Sequence, residues 1–235
     1  MRVNAIDSMS AAFQPVLGRF LASPAIRTLA AHKLALDHYK AMLREVFHYA
    51  KEDPQIQALA AVFFRGRDRE SVKMFFKHAT SEIGHDLMAL EDLKSLGEDV
   101  TLISISNPLP TTIALTAFSF YQIQYMNPIG YLGYLYFLEF MPTQAGGGLK
   151  EALLKSGVPQ HAMSFLDEHM TVDVAHNKLM EEYLRRLVRS DSDLASAIYA
   201  MQVTGRLYAD MILGAIESVD APVNFGMNAA EQARA

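Results

Sequence analysis

The chain of 235 residues contains no cysteine. That one absence removes disulfides, thiolate metal sites and a cysteine nucleophile together. A metal, if bound, must be held by His, Asp and Glu, a donor set that suits iron, manganese or zinc better than copper(I) or an iron–sulfur cluster. A basic cluster is also missing. With 21 Lys and Arg against 26 Asp and Glu the net charge is −5, which argues against nucleic acid as a partner. No apolar run has the length of a membrane span; the nearest, residues 129 to 141, is short and carries Glu139, so it reads as a buried core helix. The opening MRVNAIDSMS has no apolar h-region, and the expectation is a cytoplasmic chain without a secretory signal. Strand signals scarcely occur.

What is present is helical periodicity, in a composition that is 51% hydrophobic and 20% charged. Ser23 followed by Pro24 is an N-cap with proline at the first helical position. The pattern predicts helices over about 34–51, 68–96, 111–126, 129–144 and 163–188, and a last one from a Ser190/Ser192 cap to about 219. The stretch from 98 to 109 reads as a connector, and Asn127-Pro128 as a break. Gly146 to Gly148 and Gly157 to Pro159 read as joints, and the tail from 223 to 235 as frayed. With no repeat and no low-complexity linker, residues 1–222 are expected to form one all-α domain of seven or more helices.

Three motifs carry chemistry. In HMTVDVAHNKL, His169, Asp173 and His176 fall at i, i+4 and i+7, within a wedge of roughly 60° on one helix face. KHATSEIGHDLMALEDL carries Glu82 and His85, an E-x-x-H pair at i, i+3, which alone is a weak signal. In GYLYFLEFMP, Glu139 is surrounded by apolar residues. Ionised there without a partner, it would cost several kcal/mol, so it requires a cation, a proton or several donors. A protonated Glu139, or one paired with an arginine, is the alternative, although the segment holds no basic residue. Together, three carboxylates and three imidazoles on three helices are the inventory of a two-iron site, where carboxylates bridge and histidines ligate terminally.

The order E-x-x-H, then Glu in a Gly-Tyr-Leu-rich helix, then H-x-x-x-D-x-x-H resembles the heme-oxygenase-like diiron oxidases and oxygenases. SEIGHDLMALEDLKSLG and NPIGYLGYLYFLEF are similar to segments of their iron-containing redox branch. The resemblance covers roughly residues 20 to 215. It implies a seven-helix heme-oxygenase-like fold, with Glu82, His85, Glu139, His169, Asp173 and His176 holding two iron ions, for which manganese could substitute. It also implies use of O2 to oxidise a small organic substrate by N-oxygenation, C–H oxidation or oxidative C–C cleavage. The expected partners are that small molecule and O2, with an external electron donor and a second copy of the chain in a homodimer, and neither nucleic acid nor membrane.

Several alternatives stay open. A ferritin-like bundle or a non-enzymatic iron-binding protein could use Glu45, Glu82/His85, Glu139 and Asp173/His176, but would leave His169 without a role and is interrupted at Asn127-Pro128. A heme oxygenase would need an early proximal histidine, from among His32, His38 and His48. The thiaminase-II branch of the fold uses a cysteine that this chain lacks, and the cofactorless quinone-synthase branch would expect basic substrate contacts in place of the carboxylates. Glu45 with His48 is read as a solvated Glu and a core His. His38 and His161 are assigned no role, and His78, on the face of Glu82 and His85, is read as a surface residue.

Overall fold

In the computed structural model, residues 4–31, 35–64, 66 and 69–221 are described, without the side chains of Ala30 and of residues 172–175. The described residues contain eleven α-helical segments and two 3-10 turns, and no strand. These are α1 (Ala5–Leu21), α2 (Pro24–Ala30), α3 (Leu36–Ala50), α4 (Asp53–Phe63), α5 (Arg69–Glu82), α6 (His85–Ser95), α7 (Val100–Ser104), α8 (Pro110–Tyr125), α9 (Tyr131–Lys155), α10 (Ser164–Leu187) and α11 (Asp191–Asp220). The 3-10 turns, Pro128–Gly130 and Gln160–Ala162, lead into α9 and α10. Ser23 caps α2 by accepting from the Ile26 amide, and Ser190 caps α11 by accepting from Asp193. His32 and the tail from 223 to 235 lie outside the described residues.

Helix α9 is the axis of the bundle. Its first two turns are apolar all round, and Tyr131, Leu132, Tyr134, Leu135, Tyr136 and Phe137 are all buried. A helix without a polar face must be covered on every side. Helices α10 and α11 supply most of that cover, while α3 packs on α6 and α11, and α1 lies along α11.

Three expectations need correction. The stretch 68–96 is two helices, because Gly84 adopts φ +100° and interrupts the ladder between Glu82 and His85. That left-handed conformation costs any other L-residue about 1–2 kcal/mol, so the interruption depends on glycine. Gly146 to Gly148 are not a joint; α9 runs through them to Lys155. There a Cβ on Gly146 would sit 2.6 Å from Met170 Cγ, so the glycine lets α10 approach. The connector 98–109 contains the short helix α7, started by Asp99, which accepts from the Thr101 and Leu102 amides. These splits raise the number of helical segments above that expected from periodicity.

Candidate metal centre

Four helices bring the candidate ligands together. Glu82 is the last residue of α5 and His85 the first of α6; Glu139 lies mid-way along α9, and His169 and His176 on α10. Two groups result. In the first, ligand atoms of His78, Glu82, Glu139 and His176 all lie within 4.8 Å of one another; in the second, those of Glu82, His85 and His169 do. Glu82 belongs to both. Its Oε1 faces His78 Nε2 at 3.2 Å and His176 Nδ1 at 3.7 Å, while its Oε2 is 2.8 Å from His85 Nδ1. Glu139 Oε1 lies 3.2 Å from His78 Nε2, and its Oε2 3.0 Å from His176 Nδ1.

The imidazoles are aimed by what their other nitrogens touch. His169 Nδ1 donates to the Phe165 carbonyl at 2.7 Å, so in the neutral ring Nε2 carries the free lone pair. The Tyr183 hydroxyl donates to the Met74 carbonyl, leaving its oxygen to accept from His78 Nδ1 at 3.5 Å and turning His78 Nε2 toward the carboxylates. His78 and His176 lie with ring centroids 4.4 Å apart, and His85 and His169 with centroids 5.0 Å apart. Imidazoles this close, with carboxylates between them, form two donor groups that could each hold a metal ion.

The electrostatics agree. Burial alone would raise the Glu82 and Glu139 carboxyls, but hydrogen bonds and charge from His78 and His85, and from His176 and His78, hold them below the ordinary carboxylate range. Burial would lower His78, yet the same two carboxylates raise it. His169 is lowered, chiefly by burial. Buried His78 Nε2 and Glu82 Oε1 face each other at 3.2 Å without hydrogen-bond geometry. Two buried polar atoms in that relation stay unsatisfied unless a proton or a metal cation lies between them. The donor set is nitrogen and oxygen only, so the residues fit iron or manganese. Glu82 also ends a helix, where the dipole disfavours a carboxylate by about 0.3–1 kcal/mol and favours a bound cation.

Of the six expected ligands the structure brings five together: Glu82, His85, Glu139, His169 and His176. The backbone of Asp173 is helical, and its side chain lies outside the described residues. Glu82 and His85 do meet, although across a helix break and not on one face. Glu139 is buried as expected, and its partners are histidines, with no arginine among the described contacts.

The reading of His78 as a surface residue was wrong: it is 2% exposed and sits between both carboxylates. A signal for it did exist. His78, Glu82 and His85 stand at i, i+4 and i+7, the same spacing as His169, Asp173 and His176. Glu45, read as solvated, is buried, because its Oε2 accepts from the Leu109 amide and the Thr112 hydroxyl at the start of α8. His48 is a core residue as expected, bonded to Ser106 and lowered to about 4 by burial and Lys51. His38 bonds Asp220 and the Ala35 amide, and His161 is exposed.

A cavity of about 140 Å3 opens onto the second group, lined by Glu82, His85, Glu139 and His169 and otherwise mostly by apolar side chains from α2, α3, α9 and α11. Asp53 also lines it, accepts from the Tyr134 hydroxyl at 2.6 Å and is pushed up to about 8, mainly by burial and also by the charges of Glu82 and Glu139.

One further carboxylate holds this arrangement in register. Asp92 of α6 is buried and accepts from the Ser164 amide and hydroxyl and from the Phe165 amide. It caps α10 from another helix, and so ties the helix that begins with His85 to the one that carries His169.

The architecture is the heme-oxygenase-like fold. A domain of unknown function with that fold from Shewanella denitrificans OS217 is similar to this chain at a TM-score of 0.84 and 25% identity, covering 93% of this chain and 97% of its own. A TenA homologue from Pyrococcus furiosus, with a TM-score of 0.73 and 13% identity over 90% of this chain and 99% of its own, shares the fold. So does the TenA homologue from P. horikoshii OT3, with a TM-score of 0.72 and 12% identity over 91% and 98%. In sequence, residues 40–208 match the model of the iron-containing redox enzymes, and the chain belongs to that family. No curated protein sequence matches it. Among the described residues no helix is long and apolar enough to cross a membrane.

Proposed function

We propose that this member of the iron-containing redox enzymes is a non-heme diiron oxidase or oxygenase that uses O2 on a small organic substrate. The observation that carries the reading is Glu82, whose two oxygens face two different sets of imidazoles. Glu82 would serve both donor groups, holding metal together with His78, Glu139 and His176 through one oxygen and with His85 and His169 through the other. Bound iron would supply the electrons and Lewis acidity that O2 chemistry needs. The chain supplies the rest. His169 and His78 are held in one ring orientation by Phe165 and Tyr183, and the apolar cavity walls exclude water from the reacting end of the substrate. Asp53 can hold a proton at the cavity wall, on the oxygen pair that faces Tyr134.

The reaction class is N-oxygenation, C–H oxidation or oxidative C–C cleavage, with electrons from an external donor. The reading includes a homodimer working in the cytoplasm, with neither nucleic acid nor membrane as a partner. The test is anaerobic loading with Fe(II), followed by iron analysis and O2 uptake. Two irons per chain and iron-dependent O2 consumption, raised by a substrate, are expected. A single iron, or slow O2 uptake indifferent to every small molecule offered, would favour an iron-binding role without catalysis.

A further inference from the structure

The cavity wall contains one charged group that the metal reading does not use. Glu45, on α3, is 5% exposed and lines the same cavity as Glu82 and His85. Both of its donors, the Leu109 amide at 3.0 Å and the Thr112 hydroxyl, fall on Oε2. Oε1 has no protein donor among the described contacts. The next residue, Arg44, is engaged with Glu98 in a half-exposed pair. No lysine or arginine lines the cavity. A buried carboxylate with one oxygen fastened and no cation bonded to the other is incomplete, because burial raises its carboxyl and the two donors and the charge of Arg44 only partly oppose that.

We infer that the substrate, under the diiron reading above, is a small apolar amine whose ammonium group is held by Glu45 while its carbon body fills the cavity toward the metal ligands. Charge decides the class. At the Glu45 end of the cavity a carboxylate ligand would meet Glu45 and no lysine or arginine, whereas an ammonium ion would give Glu45 the charge-assisted hydrogen bond it lacks. Size decides the body. A cavity of about 140 Å3 with walls such as Leu43, Leu135, Leu138 and Ile212 is close to the roughly 150 Å3 apolar cavity known to accept benzene. A single ring or a chain of similar volume fits, with one amine and no acid.

Benzylamine, benzyl alcohol and benzoate have nearly the same shape and differ in charge at pH 7. Their binding is measured by titration calorimetry on the metal-free protein and repeated with Mn(II) present. Benzylammonium is expected to bind at least about tenfold more tightly than the other two, and Glu45→Gln should cut that advantage to about twofold or less. Should Glu45→Gln fail to fold, Thr112→Val keeps the carboxylate and removes one donor that favours its ionised form, and it should reduce the advantage about threefold. Preferred binding of benzoate or benzyl alcohol overturns the assignment, as does an amine preference that survives loss of the Glu45 charge, since the ammonium would then sit on the metal-ligand carboxylates. Because binding is read without turnover, failure to load iron would sink the diiron reading alone, and loss of the amine preference would sink this one alone.

Discussion

The two halves of the metal centre differ in what surrounds them. His78 and His176, which do not line the cavity, form with Glu139 the more enclosed half between α5, α9 and α10, where each carboxylate oxygen of Glu139 has its own imidazole. His85 and His169 form a half that lines the cavity, hinged on one side by the Gly84 break. The closed half has the features of a permanent binding site, since its charges are already matched in pairs. The cavity half has fewer protein donors and faces the space where a substrate would lie. Under the diiron reading, such an asymmetry would let the enclosed residues hold a cation firmly and leave those at the cavity open to what enters it.

Glu82 is the element common to both halves, so removing its charge is the strongest way to break the comparison. Glu82→Gln is expected to lower Fe(II) binding from about two per chain to near zero, as read by anaerobic iron titration. A residual stoichiometry of one would mean that the closed half stands without the shared carboxylate.

Single histidine variants sharpen the contrast. His78→Ala and His85→Ala should each cost about one iron, but not the same stability. Without His78 the buried Glu139 loses one of its two imidazole partners, and breaking a buried pair costs about 3 kcal/mol. His85 faces the cavity, where water can replace it, and about 1 kcal/mol or less is expected. Urea unfolding of the metal-free variants measures the difference; equal losses would erase the distinction between a closed and an open half.

Acidity separates the halves next. His78 is raised by its carboxylates, so it holds the proton that a metal must displace more firmly than a free imidazole does. His169 is lowered and is already neutral there. Iron affinity of the closed half should therefore climb between pH 6 and pH 8, by at most about tenfold per pH unit, while that of the cavity half changes little. For the metal-free fold the signs are opposite. The contribution of His78 is complete below about 6.5 and fades as pH rises through its folded value, whereas that of Glu82 and Glu139 is complete above about 4.5 and fades on acidification. Competitive metal titrations at pH 6, 7 and 8 give the first slope, and thermal unfolding over the same range gives the second.

The smallest effect on metal binding belongs to Gly84→Ala. No atom lies within 4 Å of the added methyl, so the cost is backbone strain alone, about 1–2 kcal/mol. It should appear as a loss of stability together with weaker binding in the cavity half only.

How much of this could be read in advance depended on which physical signal each feature sends. Glu139 was legible because a carboxylate in an apolar helix has few explanations. His169 and His176 on α10 were legible from spacing, and the caps at Ser23 and Ser190 from residue type. The break after Glu82 was not, since a glycine inside a helical pattern is usually tolerated and only its φ shows otherwise. Gly146 to Gly148 misled in the opposite sense: glycine reads as a joint until the neighbouring helix is known to need the room. Glu45 looked solvated because its donors come from Leu109 and Thr112, more than sixty residues away. Long-range partners of that kind leave no local mark.

Asp92 joins residues 72 apart in the chain when it caps α10. Until that docking occurs His85 and His169 have no reason to be neighbours, and a metal ion meets only scattered imidazoles. Assembly of the cavity half is therefore a late event in folding, paid for by closing a long loop before any ligand bond rewards it. Iron present during refolding would accelerate nothing early and would lock the last docking step once it is made. Removed after folding, it would leave Asp92 to keep the two helices in register for the next ion.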